Sequence, residues 1–144
     1  MAASHGQHDR ALITVVNDPA AIERAEDRVV EALTRFNYPR ASVFAVRLSL
    51  HEAMSNGFRH GHRSLPEGTP ISVQFDATDD TVEIIVEDQG PGFDPNAIPD
   101  PTLEENLERG SGRGLLLIRA YMTSAEYNSK GNRLQMTYRR PPGA

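Results

Sequence analysis

The sequence predicts an α+β two-layer sandwich, with strands on one side and helices on the other. Two observations carry this. Apolar spacing along the chain switches in the order β-α-α-β-β-lid-α-β-β, with no internal repeat. The 144 residues fit one domain, and 38% hydrophobic with 24% charged residues suits a single globular core.

The elements follow in order. Ala11 to Val16 is short, apolar and β-branched, a strand. Asp18 precedes Pro19, a capping residue before a first-turn proline. Ile22, Ala25, Val29, Leu33 and Phe36 then recur at helical spacing until Asn37-Tyr38-Pro39. A second helix runs from about Arg40 to Arg59, with Val43, Val46, Leu50, Ala53, Met54 and Gly57 as its apolar stripe. His60 to Pro70 reads as a loop. Ile71 to Phe75 and Thr81 to Glu87 are strands joined by a turn at Asp79-Asp80. Gln89 to Gly114 is rich in Gly, Pro and acids, with a short helix expected at Thr102 to Arg109. A connection of that length in a compact domain is a functional lid or is disordered. Leu115 to Met122 is a short apolar helix, and Ala125–Asn128 with Leu134–Arg139 close a hairpin around Lys130-Gly131-Asn132. Residues 1–10 are expected to be a disordered tail and 141–144 a loose one, leaving 11–140 as the domain.

Composition narrows the function. The net charge is −5 and the sequence pI is about 5.5, which argues against a general nucleic-acid or anionic-membrane binder. No cysteine is present, so thiolate nucleophiles, zinc–thiolate sites and disulfides are excluded. No apolar run approaches the ~18 residues of a membrane span, and the first ten residues lack an apolar signal core. The expected compartment is the cytoplasm.

Three clusters carry chemistry. In the first, Glu52 and Asn56 lie four apart on the second helix, about 40° apart around its axis. A carboxylate beside an amide suits activation of a hydroxyl and oxygen ligation of a hard cation. The pair equally suits an ordinary polar face. His60 follows one turn on. A zinc-protease HExxH would need histidine where Ser55 stands, and the proline of a phosphoacceptor box is absent after His51-Glu52. His60-x-His62 is weak as a metal pair.

The second cluster is Asp88-Gln89-Gly90-Pro91-Gly92, directly after a strand. Asp88 suits acceptance from an exocyclic amino group such as that of adenine, and Gly90 and Gly92 let backbone approach a flat ring. A plain acidic turn has the same composition. The third is Gly110-Ser-Gly112-Arg113-Gly114-Leu115, feeding an apolar helix whose N-terminus would favour phosphate. It lacks the Gly-Lys-[Ser/Thr] of a P-loop, and no strand precedes it as in a dinucleotide fingerprint. A flexible glycine linker is the alternative.

Taken in order, Glu-x3-Asn on a helix, Asp-x-Gly-x-Gly after a strand and Gly-x-Gly-x-Gly-Leu before a helix resemble the N, G1 and G2 boxes of the GHKL ATPases. The likeness spans about Val43 to Met136. Total size, the strand ahead of two helices, and Gly112-Arg-Gly-Leu-Leu-Leu-Ile-Arg-Ala-Tyr-Met122 resemble the anti-sigma-factor serine/threonine kinase branch. A histidine kinase would add a phosphoacceptor hairpin, for which 144 residues leave no room.

The resemblance implies the Bergerat fold: a mixed, mostly antiparallel sheet covered on one face by helices, with an ATP lid at about residues 93–112. It implies ATP and Mg2+ as cofactors. Asn56 would bind the metal, and Glu52 would be the general base toward a partner's serine. Asp88, Gly90 and Gly92 would form the adenine wall. Gly110, Gly112 and Gly114, with Leu115 beside them, would wrap the phosphates, and His60 and Arg113 would touch phosphate. The prolines Pro91, Pro95, Pro99 and Pro101 would restrict the lid's hinge. Implied partners are a sigma factor and an anti-sigma-factor antagonist protein, with no direct nucleic acid and no membrane. A homodimer through the first strand and helix is also raised. One departure is Met122-Thr123-Ser124, where relatives carry Met-Asp-(Glu/Asp); it bears on partner choice more than on nucleotide binding. The implied activity is phosphorylation of the antagonist in a partner-switching circuit. The alternative is a nucleotide-gated binding module with little or no kinase activity.

Overall fold

A computed structural model describes residues 7–62, 65–91 and 110–143. Among these, strand β1 (Asp9–Val15) leads to helices α1 (Pro19–Arg35) and α2 (Arg40–Asn56), and a π-helical turn, Gly57–Gly61, extends α2. Strands β2 (Ile71–Ala77) and β3 (Thr81–Glu87) follow, then helix α3 (Gly110–Tyr121) and strands β4 (Ser124–Tyr127) and β5 (Arg133–Arg139). The five strands form one sheet in the order β1-β2-β3-β5-β4, every neighbouring pair antiparallel.

The expected mixed sheet is therefore wholly antiparallel among the described residues. The reason lies in the connections. Two helices, not one, separate β1 from β2, so the chain returns in the opposite sense. A tight turn reverses β2 into β3. β4 runs with β3, but β5 inserts between them and opposes both.

Alternation along the strands places Val73, Phe75, Val82, Ile84, Val86, Leu134, Met136 and Tyr138 in the core beneath the helices. α1 starts as its sequence directs: Asp18 accepts from the Ala21 N–H at 3.1 Å, and Pro19 opens the first turn. It ends where Asn37 takes φ 59°, before Pro39. α2 packs on α1, on α3 and on the sheet, and it buries Ser42, Ser49 and Asn56 as well as its apolar residues, the Ser42 hydroxyl meeting that of Tyr138 on β5 at 2.7 Å.

Two boundaries differ from expectation. β1 takes in Asp9 and Arg10, which the sequence placed in a disordered tail. Asp9 is only 7% exposed and meets the Arg28 guanidinium at 2.7 and 3.2 Å. That bond holds its carboxyl below the usual range, so a charged residue serves as strand. α3 begins at Gly110, so the glycines assigned to the end of the lid and to a loop are already helical. The expected helix at Thr102–Arg109 and the lid residues 93–109 lie outside the described residues.

Candidate functional site

The site assembles at the C-terminal end of α2. Asn56, on the last turn, is 5% exposed, and both its Oδ1 and its Nδ2 are buried without a hydrogen-bond partner among the described residues. A buried amide with neither bond made costs roughly 1–3 kcal/mol for each unmet group. Such a group in a native fold needs a reason, and a ligand that bonds it supplies one. Glu52, one turn earlier, is half-buried. Its neighbour His51 is drawn away to α1: Nδ1 lies 2.6 Å from Glu26 Oε2, and Arg47 binds Glu26 and Asp27 at 3.2 and 2.9 Å.

The start of α3 reaches the same point. A Cβ built on Gly114 would lie 2.5 Å from Asn56 Nδ2 and 3.0 Å from its Oδ1. Only glycine lets the α3 backbone approach this closely. On the other side, a Cβ on Gly57 would sit 3.7 Å from Asp88 Cβ, in ordinary contact. Asn56-Gly57 is thus flanked by Gly114 and Asp88, so the three sequence clusters meet around one helix end. The π turn that follows, closed by the His62 N–H to the Gly57 carbonyl at 3.0 Å, is a wider coil of the kind found at functional positions.

Asp88 stands just beyond β3. Its Oδ1 accepts from the Gly90 N–H at 2.8 Å, the local bond of an aspartate turn. The next residue is held too, since the Gln89 N–H donates to His62 Nε2 at 2.8 Å. Burial pushes the Asp88 carboxyl above its usual range, and the Gly90 bond and nearby His62 pull it part of the way back. Tyr127 on β4 is close enough to feel that charge: burial first, then Asp88, push its hydroxyl up to about 12.

The remaining expectations divide. Gly110 and Gly112 lie in the first turn of α3, where a helix leaves four N–H groups unpaired. Leu115 is past those groups and 4% exposed, with its side chain packed in the core. His60 lies in the π turn and Arg113 in α3, but their side chains lie outside the described residues, as does Gly92. Among the described residues no three His, Cys, Asp or Glu side chains gather to hold a metal. A cation here would draw on the Asn56 oxygen and on oxygens of a ligand. The orphaned amide and the glycine cradle fit a phosphate-bound hard cation.

Sequence reasoning missed His62 as an acceptor for the site backbone, Tyr127 as a neighbour of Asp88, and Asn128 and Asn132 in the β4–β5 turn. The Asn-x3-Asn spacing across a turn was the signal for the last two.

The family model of the histidine kinase-like ATPase domain matches residues 15–138. The serine-protein kinase RsbW of Oceanobacillus iheyensis is 29% identical over 67% of this chain and 64% of its own length. RsbW of Staphylococcus epidermidis is 29% identical over 62% of this chain and 61% of its own. The sensor histidine kinase CusS of Escherichia coli is 32% identical over 69% of this chain but 22% of its own length. The matches thus span less than two thirds of each of these relatives. A crystal structure of RsbU and RsbW domains from Mycobacterium tuberculosis superposes with TM-score 0.64 at 17% identity, covering 92% of this chain and 33% of that one; this likeness concerns the fold. No helix among the described residues is long and apolar enough to cross a membrane.

Proposed function

The chain belongs to the histidine kinase-like ATPase domain family, and from that premise we propose that it binds ATP with Mg2+ and phosphorylates a serine or threonine of a partner protein. The observation that carries the reading is Asn56: buried, without a partner among the described residues, and flanked by Gly114 and Asp88. ATP supplies the transferable phosphoryl group and Mg2+ neutralises its charge. In this reading Asn56 Oδ1 is the protein's ligand to the cation. Asp88 holds one carboxylate oxygen on Gly90 and offers the other to the adenine amino group. The opening N–H groups of α3 face phosphate. Glu52 takes the proton from the partner's hydroxyl. Likeness to the RsbW kinases supports a small antagonist protein as the phosphoacceptor and a sigma factor as a second partner in a cytoplasmic partner-switching circuit.

The test is transfer of labelled phosphate from ATP to candidate antagonist proteins. Glu52→Ala is expected to reduce transfer by about 10²- to 10⁴-fold while ATP still binds. Full transfer by that variant would overturn the general-base role. ATP binding by the wild type with no transfer to any antagonist would point to the nucleotide-gated module.

A further inference from the structure

Asp88 reads a base only if its carboxylate is aimed, and the aim is set by a residue far away in sequence. The β3–β5 ladder ends at Glu87↔Arg133. One step further, the Asp88 N–H donates to the Asn132 carbonyl at 2.9 Å, as a continuing ladder would. The Asn132 side chain then adds a bond that a ladder does not supply: Nδ2 donates to the Asp88 carbonyl at 3.2 Å. One residue therefore holds both peptide groups flanking the Asp88 Cα, which fixes the Cα–Cβ direction. With Oδ1 committed to Gly90, Oδ2, which no described residue bonds, is left to accept from a ligand.

Asn132 is itself held in place. It is 8% exposed. Its Oδ1 accepts from Asn128 Nδ2 at 3.1 Å, and Asn128 Oδ1 accepts from the N–H groups of Gly131, Asn132 and Arg133 at 2.8, 3.1 and 3.2 Å. Gly131 supplies the positive φ, 82°, that the turn requires. Nothing in this chain of bonds touches the helices. It runs from the turn, through Asn132, to Asp88.

We propose that Asn132 is a positioning residue for base selectivity: it aims the Asp88 carboxylate so that a nucleotide carrying an exocyclic amino donor is preferred. The proposal rests on the reading of Asp88 as the adenine acceptor, and the test separates the two. Affinities for ATP and for purine riboside triphosphate, which has hydrogen in place of the 6-amino group, are measured by calorimetry on wild type, Asn132→Ala and Asn132→Leu. The leucine variant keeps the branch at Cγ without a donor, and thermal unfolding identifies the folded variants. The wild type is expected to favour ATP by about tenfold or more, since an unmet acceptor penalises the analogue. The variants are expected to lose about fivefold in ATP affinity, the worth of one hydrogen bond, and to keep their affinity for the analogue within about twofold. A merely structural role would weaken both nucleotides alike. That result, or unchanged ATP affinity in a folded variant, would overturn the proposal. A wild type that binds both nucleotides equally would overturn the adenine-acceptor reading itself.

Discussion

A desolvated carboxylate just past the end of a central strand costs stability. Asp88 holds its proton to a higher pH when folded than when unfolded, chiefly because burial disfavours the charge. Native protein therefore binds more protons than the unfolded chain in the window above the ordinary aspartate value of 3.8. Stability tied to this group is fully present below that value and is lost as pH rises through the raised one. Asp88→Asn keeps an acceptor for Gly90 and cannot ionise. It is expected to melt at a higher temperature than wild type near neutral pH, with the gap closing as pH falls toward 4, and to lose the preference for ATP. Calorimetry across pH checks the first and nucleotide titration the second. A lower melting temperature at neutral pH would contradict the desolvation argument.

Between elements, the contact that matters most is the seam of α2 and α3. Gly114 sits inside a helix, where alanine would ordinarily gain about 1 kcal/mol. Here its methyl would meet Asn56 at 2.5 Å, and refitting a packed site costs roughly 1–3 kcal/mol. Gly114→Ala should thus change the melting temperature little while displacing Asn56 and weakening Mg2+-dependent ATP binding by about tenfold or more. Unchanged binding would mean that the close approach is incidental. Element types were legible wherever a local rule acts alone. The Asp18-Pro19 cap and the 3.6-residue stripe of α1 are of this kind, as is the alternation in β2, β3 and β5. Asp9 and Arg10 were not legible as strand, because what makes them so is Arg28, nineteen residues away on α1. The start of α3 was also misplaced, since glycines argue for loop locally and only the structure shows them helical.

For the whole molecule, the candidate site follows from topology. Two helices return the chain antiparallel to β1, and α2 ends over the end of β3. α3 packs on α2 before the chain closes the sheet through β4 and β5. Glu52, Asn56, Asp88 and Gly114 could be singled out from spacing, and their meeting place could be expected from order alone. The Asn-x3-Asn spacing marks Asn128 and Asn132 as a turn pair but not what Asn132 holds; its bond to Asp88, the bond of His62 to Gln89 and the approach of Tyr127 to Asp88 join β5 to β3, the α2 extension to the turn after β3, and β4 to that same turn. Those pairings exist only once the sheet has formed.

The proposed role of the buried Asn56 amide, unpartnered among the described residues, is to hold a cation on bound ATP. Its most direct measurement is calorimetric titration of ATP, with and without Mg2+, into wild type and Asn56→Ala. Because neither polar atom of Asn56 has a bond to lose among the described residues, the variant should melt no lower than wild type without nucleotide. Wild type should bind ATP with strong Mg2+ dependence, and the variant should lose that dependence with about tenfold or more of its affinity. Equal Mg2+ dependence in both proteins, or a wild type that does not bind ATP, would contradict the claim.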